Sequence, residues 1–105
     1  MTDRRAIRYL SLAAKAGRLV TGGDECEKTL RRGRGGLLVL AADAASNAEK
    51  RAASMADGDR VRLMRVPYTK SELAAAAGRA RPVAIALVAD EGLAAAFAAA
   101  TANGT

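Results

Sequence analysis

Apolar residues recur at helical spacing in some stretches of this chain and run together or alternate in others, and the two patterns exchange from end to end. Ile7, Leu10 and Ala14 form a stripe three to four residues apart. That stripe predicts a helix to about residue 16, with Asp3 as its cap, Tyr9 and Leu12 widening its buried face, and Gly17 as its stop. Leu19 and Val20 make a short extended piece. Gly22 and Gly23 then turn the chain into a second helix that begins near Asp24 and is stopped by Gly33, Gly35 and Gly36. The unbroken apolar run at 37–42 reads as a strand covered on both faces.

Ser46 and Glu49 have capping-box spacing and open a third helix that ends before Gly58. Residues 60–66 alternate basic and apolar, which predicts a strand with one wet, basic face, closed by Pro67. Thr69 and Glu72 repeat the capping box at the head of a fourth helix that runs through Ala77 to a stop at Gly78. Residues 83–88 are another buried strand. Asp90 starts a last, alanine-rich helix from Glu91 to about Thr101, anchored by Leu93 and Phe97, with a frayed tail over 102–105. The predicted order is α-β-α-β-α-β-α-β-α, an α/β chain whose helices cover both faces of a central four-stranded sheet.

Composition narrows what such a fold can do. A chain of 105 residues is one domain with one real core, residues 1–105 taken together. Its only aromatics are Tyr9, Tyr68 and Phe97, so the core must be built from Leu, Val, Ile and Ala. No apolar run approaches the ~18 residues of a membrane span, and charge interrupts the N-terminal segment that a signal sequence would need. Cys26 stands alone and histidine is absent, which removes disulfide frameworks, thiolate zinc sites and histidine chemistry. A cytoplasmic, reduced setting without cofactor or metal is the expectation.

Charge then draws attention to the first third. The net charge is +6, and residues 1–36 hold nine bases against four acids while the remainder holds eight against seven. A local excess of this kind is the electrostatic footprint of a polyanion binder, although it also suits a soluble alanine-rich surface. Enzymatic signatures are missing. No glycine-rich loop ends in Gly-Lys-Ser/Thr, Gly33 to Gly36 follow a helix and precede a strand in the wrong order for a dinucleotide site, and Asp90 with Glu91 reads as a helix cap. The second helix entrance is different. Helix N-termini offer unpaired N–H groups and positive potential, and Gly22 and Gly23 leave room for another backbone. Asp24, Glu25 and Lys28 share a face at spacings of three and four. A carboxylate there can accept from guanine N1–H and N2–H while Lys28 meets a phosphate or base acceptor. The same residues also read as ordinary helix-start acids with an intrahelical partner.

The string Thr21-Gly22-Gly23-Asp24-Glu25-Cys26-Glu27-Lys28, with Leu30-Arg31-Arg32-Gly33 and the strand at 37–42, resembles the ribosomal L-seven-Ae/L-thirty-e superfamily, and more narrowly its bacterial YlxQ-type branch. Leu10 to Val20, Leu73 to Gly78 and Val88-Ala89-Asp90-Glu91-Gly92 are similar to that branch as well, so the likeness covers about residues 5 to 100. It implies a three-layer α/β/α sandwich with a central mixed four-stranded sheet, and binding to kink-turn RNA, a bent helix with tandem sheared G·A pairs. The family pattern of Gly, any residue, Asn, Glu, two of any, Lys falls on Gly22, Asp24, Glu25 and Lys28. By that likeness Glu25 accepts from a sheared-pair guanine and Lys28 contacts guanine or phosphate. A second loop, between the third strand and the fourth helix, packs apolar groups on a flipped-out nucleotide; here it falls at Arg65-Val66-Pro67-Tyr68, where Tyr68 either stacks on a base or covers the sheet edge. Asp24 stands in place of an amide, so it cannot donate a hydrogen bond and brings a negative charge beside RNA. Glu27 brings another.

Three readings remain. The first is a non-enzymatic, monomeric RNA-binding protein associated with the ribosome or translation, using Gly22, Gly23, Asp24, Glu25, Lys28, Val66, Pro67 and Tyr68, with Lys15, Arg18, Arg31, Arg32 and Arg34 adding phosphate contacts. The second is a protein-interaction accessory of ribosome assembly or transcription-translation whose acidic helix start faces a protein. The third, a small enzyme, rests on paired carboxylates alone.

Overall fold

The computed structural model describes residues 5–59 and 61–103. Among these residues nine elements come in the expected order: α1 (Ile7–Lys15), β1 (Leu19–Thr21), α2 (Gly23–Arg31), β2 (Leu37–Leu40), α3 (Ser46–Asp59), β3 (Arg62–Arg65), α4 (Lys70–Ala77), β4 (Ile85–Val88) and α5 (Glu91–Asn103). The strands form one mixed sheet in the order β1-β4-β2-β3. β4 runs antiparallel to both β1 and β2, and β2 runs parallel to β3.

Alternation along the central strands divides the interior into two layers, because successive strand side chains point to opposite faces. Leu37, Val39, Ala86 and Val88 pack with α1, α4 and α5 around Leu10, Leu73 and Phe97. Leu38, Leu40, Ile85 and Leu87 pack with α2 and α3 around Cys26, Leu30, Ala52 and Met55. All four residues of β2 and of β4 are buried, since helices cover both faces. The three-layer sandwich is therefore observed. Small side chains set the helix packing: Ala13, Ala74, Ala94 and Ala98 are buried where α1 meets α4 and α5.

Local signals behave as their chemistry requires at several ends. Glu72 N–H donates to Thr69 Oγ1 at 3.1 Å and Thr69 N–H to Glu72 Oε1 at 3.0 Å, closing the capping box of α4. Asp90 caps α5, its Oδ1 accepting from Leu93 N–H at 2.8 Å and its carbonyl from Ala94 N–H at 2.9 Å.

Other ends differ. The cap expected at Asp3 lies outside the described residues, and α1 is preceded by Ala6 with no side-chain cap. Leu12 is 51 % exposed and does not widen the buried face of α1. Ser46 is itself the first helical residue of α3, because Glu49 N–H bonds to Ala45 O; the helix then passes through Gly58, and Val61 N–H closes back on Ala56 O at 3.1 Å. β3 is shorter than the expected 60–66 and does not alternate. Leu63 enters the α2/α3 layer, Met64 enters the opposite one, and Arg62 and Arg65 stand exposed at either end. An edge strand of four residues supplies each layer once, leaving no continuous basic face. At β4, Val83 N–H bonds to Lys70 O, so the ladder starts later than 83.

Candidate functional site

The entrance of α2 is built by backbone. Gly22 holds φ +90° and ψ 145°, a conformation that side-chain-bearing residues avoid. Its N–H donates to Ile85 O at 2.9 Å, which anchors it to β4, and its carbonyl accepts the first helical bond from Cys26 N–H at 3.0 Å. No side chain caps the helix, so the N–H groups of its first turn keep their capacity to donate to an acceptor. Cys26 is sealed beneath, its thiol 3.5 Å from Val20 O and its pKa pushed up to about 12 by burial.

Side chains around this entrance are exposed and charged. Glu25 and Lys28 pair across one turn at 3.6 Å on the expected face. Asp24 is taken by Arg51 of α3, Nη2 to Oδ1 2.5 Å. The hydrogen bond from Arg51, then its charge, hold the Asp24 carboxyl below its ordinary value, and Lys28 adds to the effect. The guanidinium lies directly over Gly23, where a Cβ would stand 2.7 Å from its Cζ and Nη1. The negative charge that Asp24 brings is thus matched by a cation that no local pattern announces.

A depression of about 440 Å³ opens beside this pair, and Gly22, Gly23, Arg51, Arg79, Arg81 and Pro82 line it. Three arginines border it, from α3 and from the segment between α4 and β4. Strand register explains the meeting. Thr21 pairs with Ala86, so the end of β1 and the start of β4 are neighbours, and the chain entering β4 must pass the α2 entrance.

That register places the expected second loop away from this entrance. The segment at 65–68 follows β3, at the far edge of the sheet from β1, three strand spacings or roughly 14 Å away. Val66 and Tyr68 are 1 % exposed, and Tyr68 packs against Phe97 with ring centroids 6.5 Å apart, so neither offers a face to a base. Tyr68 belongs to the core, and Pro67 alone of the three is exposed. The loop that adjoins α2 is instead 79–84. Its signal was available in Gly78-Arg79-Ala80-Arg81-Pro82, two arginines and a proline after a helix stop, whereas nothing local marks Arg51.

The expected flanking bases separate as well. Arg31 pairs with Glu27 at 3.7 Å on the side of α2. Lys15 lies in the last turn of α1, and Arg18, Arg32 and Arg34 gather at the other end of the sheet from Gly22.

Known proteins share this outline. A sequence profile described as the ribosomal protein L7Ae/L30e/S12e/Gadd45 family matches residues 5–98. No curated protein matches. Among solved structures, the chain is similar to a Bacillus halodurans protein of unknown function, at 24 % identity and a TM-score of 0.83 over 95 % of this chain and 99 % of that one. It is also similar to the 15.5kD RNA binding protein of Giardia lamblia, at 20 % identity and a TM-score of 0.72 over 93 % of this chain and 82 % of that one. At such identities the two structures speak for the shared fold.

Proposed function

The chain belongs to the ribosomal protein L7Ae/L30e/S12e/Gadd45 family, and from that premise we propose that it is a non-enzymatic RNA-binding protein acting through the entrance of α2. The observation that carries the proposal is the convergence of Arg51, Arg79 and Arg81 on a glycine-lined helix N-terminus that has no side-chain cap, with Lys28 paired to Glu25 on the same helix. Such a surface takes phosphate oxygens on its N–H groups and guanidinium forks, and base edges on its remaining polar groups. Structured, kink-turn-like RNA is the proposed ligand, with a role beside the ribosome or translation in the cytoplasm, in the manner of the YlxQ-type branch, and as a monomer.

In this reading Glu25 accepts from a guanine edge and Lys28 meets the adjacent acceptor or phosphate. Pro82 and Val83 give the depression an apolar floor on which an unstacked base rests. Arg51 holds Asp24 and keeps further N–H donors for phosphate, since one carboxylate oxygen uses only part of its fork.

Anisotropy titration with a labelled kink-turn RNA and a duplex of equal length tests the proposal. The kink-turn binds at least about tenfold tighter, and Lys28→Ala removes that preference. Equal, weak binding to both RNAs refutes structure-specific recognition. A silent Lys28→Ala refutes the site.

A further inference from the structure

Arg18, Arg32 and Arg34 surround a second depression of about 350 Å³, whose remaining lining is Gly17, Val20, Thr29 and Ala89. The three come from different places: the turn between α1 and β1, the C-cap of α2, and the segment leading into β2. α2 separates them from the Gly22 entrance, and nine residues at 1.5 Å rise put roughly 13 Å between its ends. This is a second place on the molecule.

The backbone under the trio is fixed. Arg18 N–H donates to Ala13 O at 2.7 Å while its carbonyl accepts from Ala89 N–H at 2.8 Å. Arg32 N–H is shared between Lys28 O and Thr29 O, and Arg34 N–H donates to Thr29 O at 3.3 Å. Gly33 between them has φ +82°, the reversal that lets both arginines line one depression. Thr29 spends its hydroxyl on Glu25 O at 2.9 Å, so the polar side chains left at the rim are the three guanidinium groups.

Charge decides what the depression is for. Arg31, Arg51 and Arg65 each meet a carboxylate. Arg18, Arg32 and Arg34 have no ion-pair partner among the described residues, and no described acid lines the depression they share; Asp59 and Glu91 border an adjoining hollow that Arg34 alone of the three also lines. Helix dipoles account for only part of them. The C-termini of α1 and α2 carry about half a negative charge each, and Lys15 and Arg31 already occupy their last turns. Three full charges held close together at the surface make a local positive field that favours an anion.

We propose that Arg18, Arg32 and Arg34 form a second phosphate site for the backbone of an RNA segment other than the one at the α2 entrance, so that the protein bridges two stretches of RNA. Guanidinium forks match phosphate oxygens two at a time. Among the described residues the rim holds no aromatic and no carboxylate or amide side chain to read base edges, so this contact is independent of sequence. The inference rests on the RNA-binding reading for its polymer, but on neither the entrance nor the kink-turn.

The test is a salt titration of the full chain against two labelled probes, a 20-base-pair RNA duplex and a minimal kink-turn RNA. Three neutralised phosphates at 0.7–0.9 each give the triple variant R18Q/R32Q/R34Q a log–log salt slope smaller by about 2 to 2.7 on the duplex. It keeps any preference for the kink-turn. Lys28→Ala does the reverse, and this separates failure of the entrance from failure of the second site. An equal loss of charge in R8Q/K50Q/K70Q, at positions that line neither depression, changes the slope by less than half as much. A wild-type slope in the arginine triple, an equal drop in the control, or a chain that binds neither RNA overturns the proposal.

Discussion

Gly23→Ala separates stability from binding in a way that few other substitutions here can. The added Cβ would lie 2.7 Å from Cζ and Nη1 of Arg51 and 2.9 Å from its Nε, so the guanidinium must retreat by roughly 1 Å to reach ordinary contact. These atoms are the far end of a long, exposed side chain, and their displacement costs the fold little. Gly23 is the first residue of α2, where alanine gains part of the ~1 kcal/mol by which it exceeds glycine in helices. For a domain of this size 1 kcal/mol moves Tm by about 4–8 °C, so the variant melts at the wild-type temperature or up to about 4 °C above it. Binding moves the other way. Arg51 leaves Asp24, whose carboxyl titrates closer to its ordinary value of 3.8, and a negative charge faces the RNA uncovered. One lost phosphate contact lowers the salt slope by about 0.9, so between 50 and 200 mM salt the variant loses about 3.5-fold less affinity than wild type while starting from a weaker value. Circular-dichroism melting, carboxyl NMR titration and anisotropy read the three effects. Wild-type affinity and slope, in a variant whose Asp24 titration has moved, would refute the role given to Arg51.

Three further outcomes bear on the scaffold. A Cβ at Gly36 would sit 2.1 Å from the carbonyl oxygen of Val88, which β4 cannot move, so Gly36→Ala lowers unfolding free energy by about 1–3 kcal/mol in urea titration; an unchanged midpoint contradicts the close approach. Tyr68→Ala costs about 3–5 kcal/mol by opening the core beside Phe97, whereas Pro67→Ala changes neither stability nor RNA affinity; the opposite pairing would restore the 65–68 loop as a contact. The Cys26 thiol ignores a disulfide reagent at pH 8 until the chain is unfolded. Its folded pKa is raised, so its contribution to stability is complete below pH 9.0 and is lost between there and about 12. The advantage of wild type over Cys26→Ala in urea midpoint therefore shrinks from pH 8 to pH 10.5.

Elements were legible where one residue's surroundings are set by its near neighbours in sequence. Thr69 and Glu72 cap α4 with bonds three residues apart, and the four apolar residues of β2 are buried because nothing else can cover both faces of a central strand. The proposed site was legible to a lesser degree. Its glycine turn and Lys28 were visible because helix ends carry local signatures. Arg51 reaches Gly23, and Arg81 the depression beside it, only through the packing of α3 on α2 and the antiparallel register of β1 with β4, and that register is a choice among strand orders that periodicity does not contain. The same limit explains Tyr68, a large aromatic beside a proline whose burial depends on where α5 lies. It also explains the flanking bases, which looked like part of the Gly22 entrance because they are near it in sequence, while Arg18, Arg32 and Arg34 gather at the far end of α2. Asp24 carries the sharpest form of this limit. Its charge set against the amide of the family pattern is a defect only if its partner is sought within α2. Seen across the layer it is half of an ion pair whose other half lies 27 positions away in the chain.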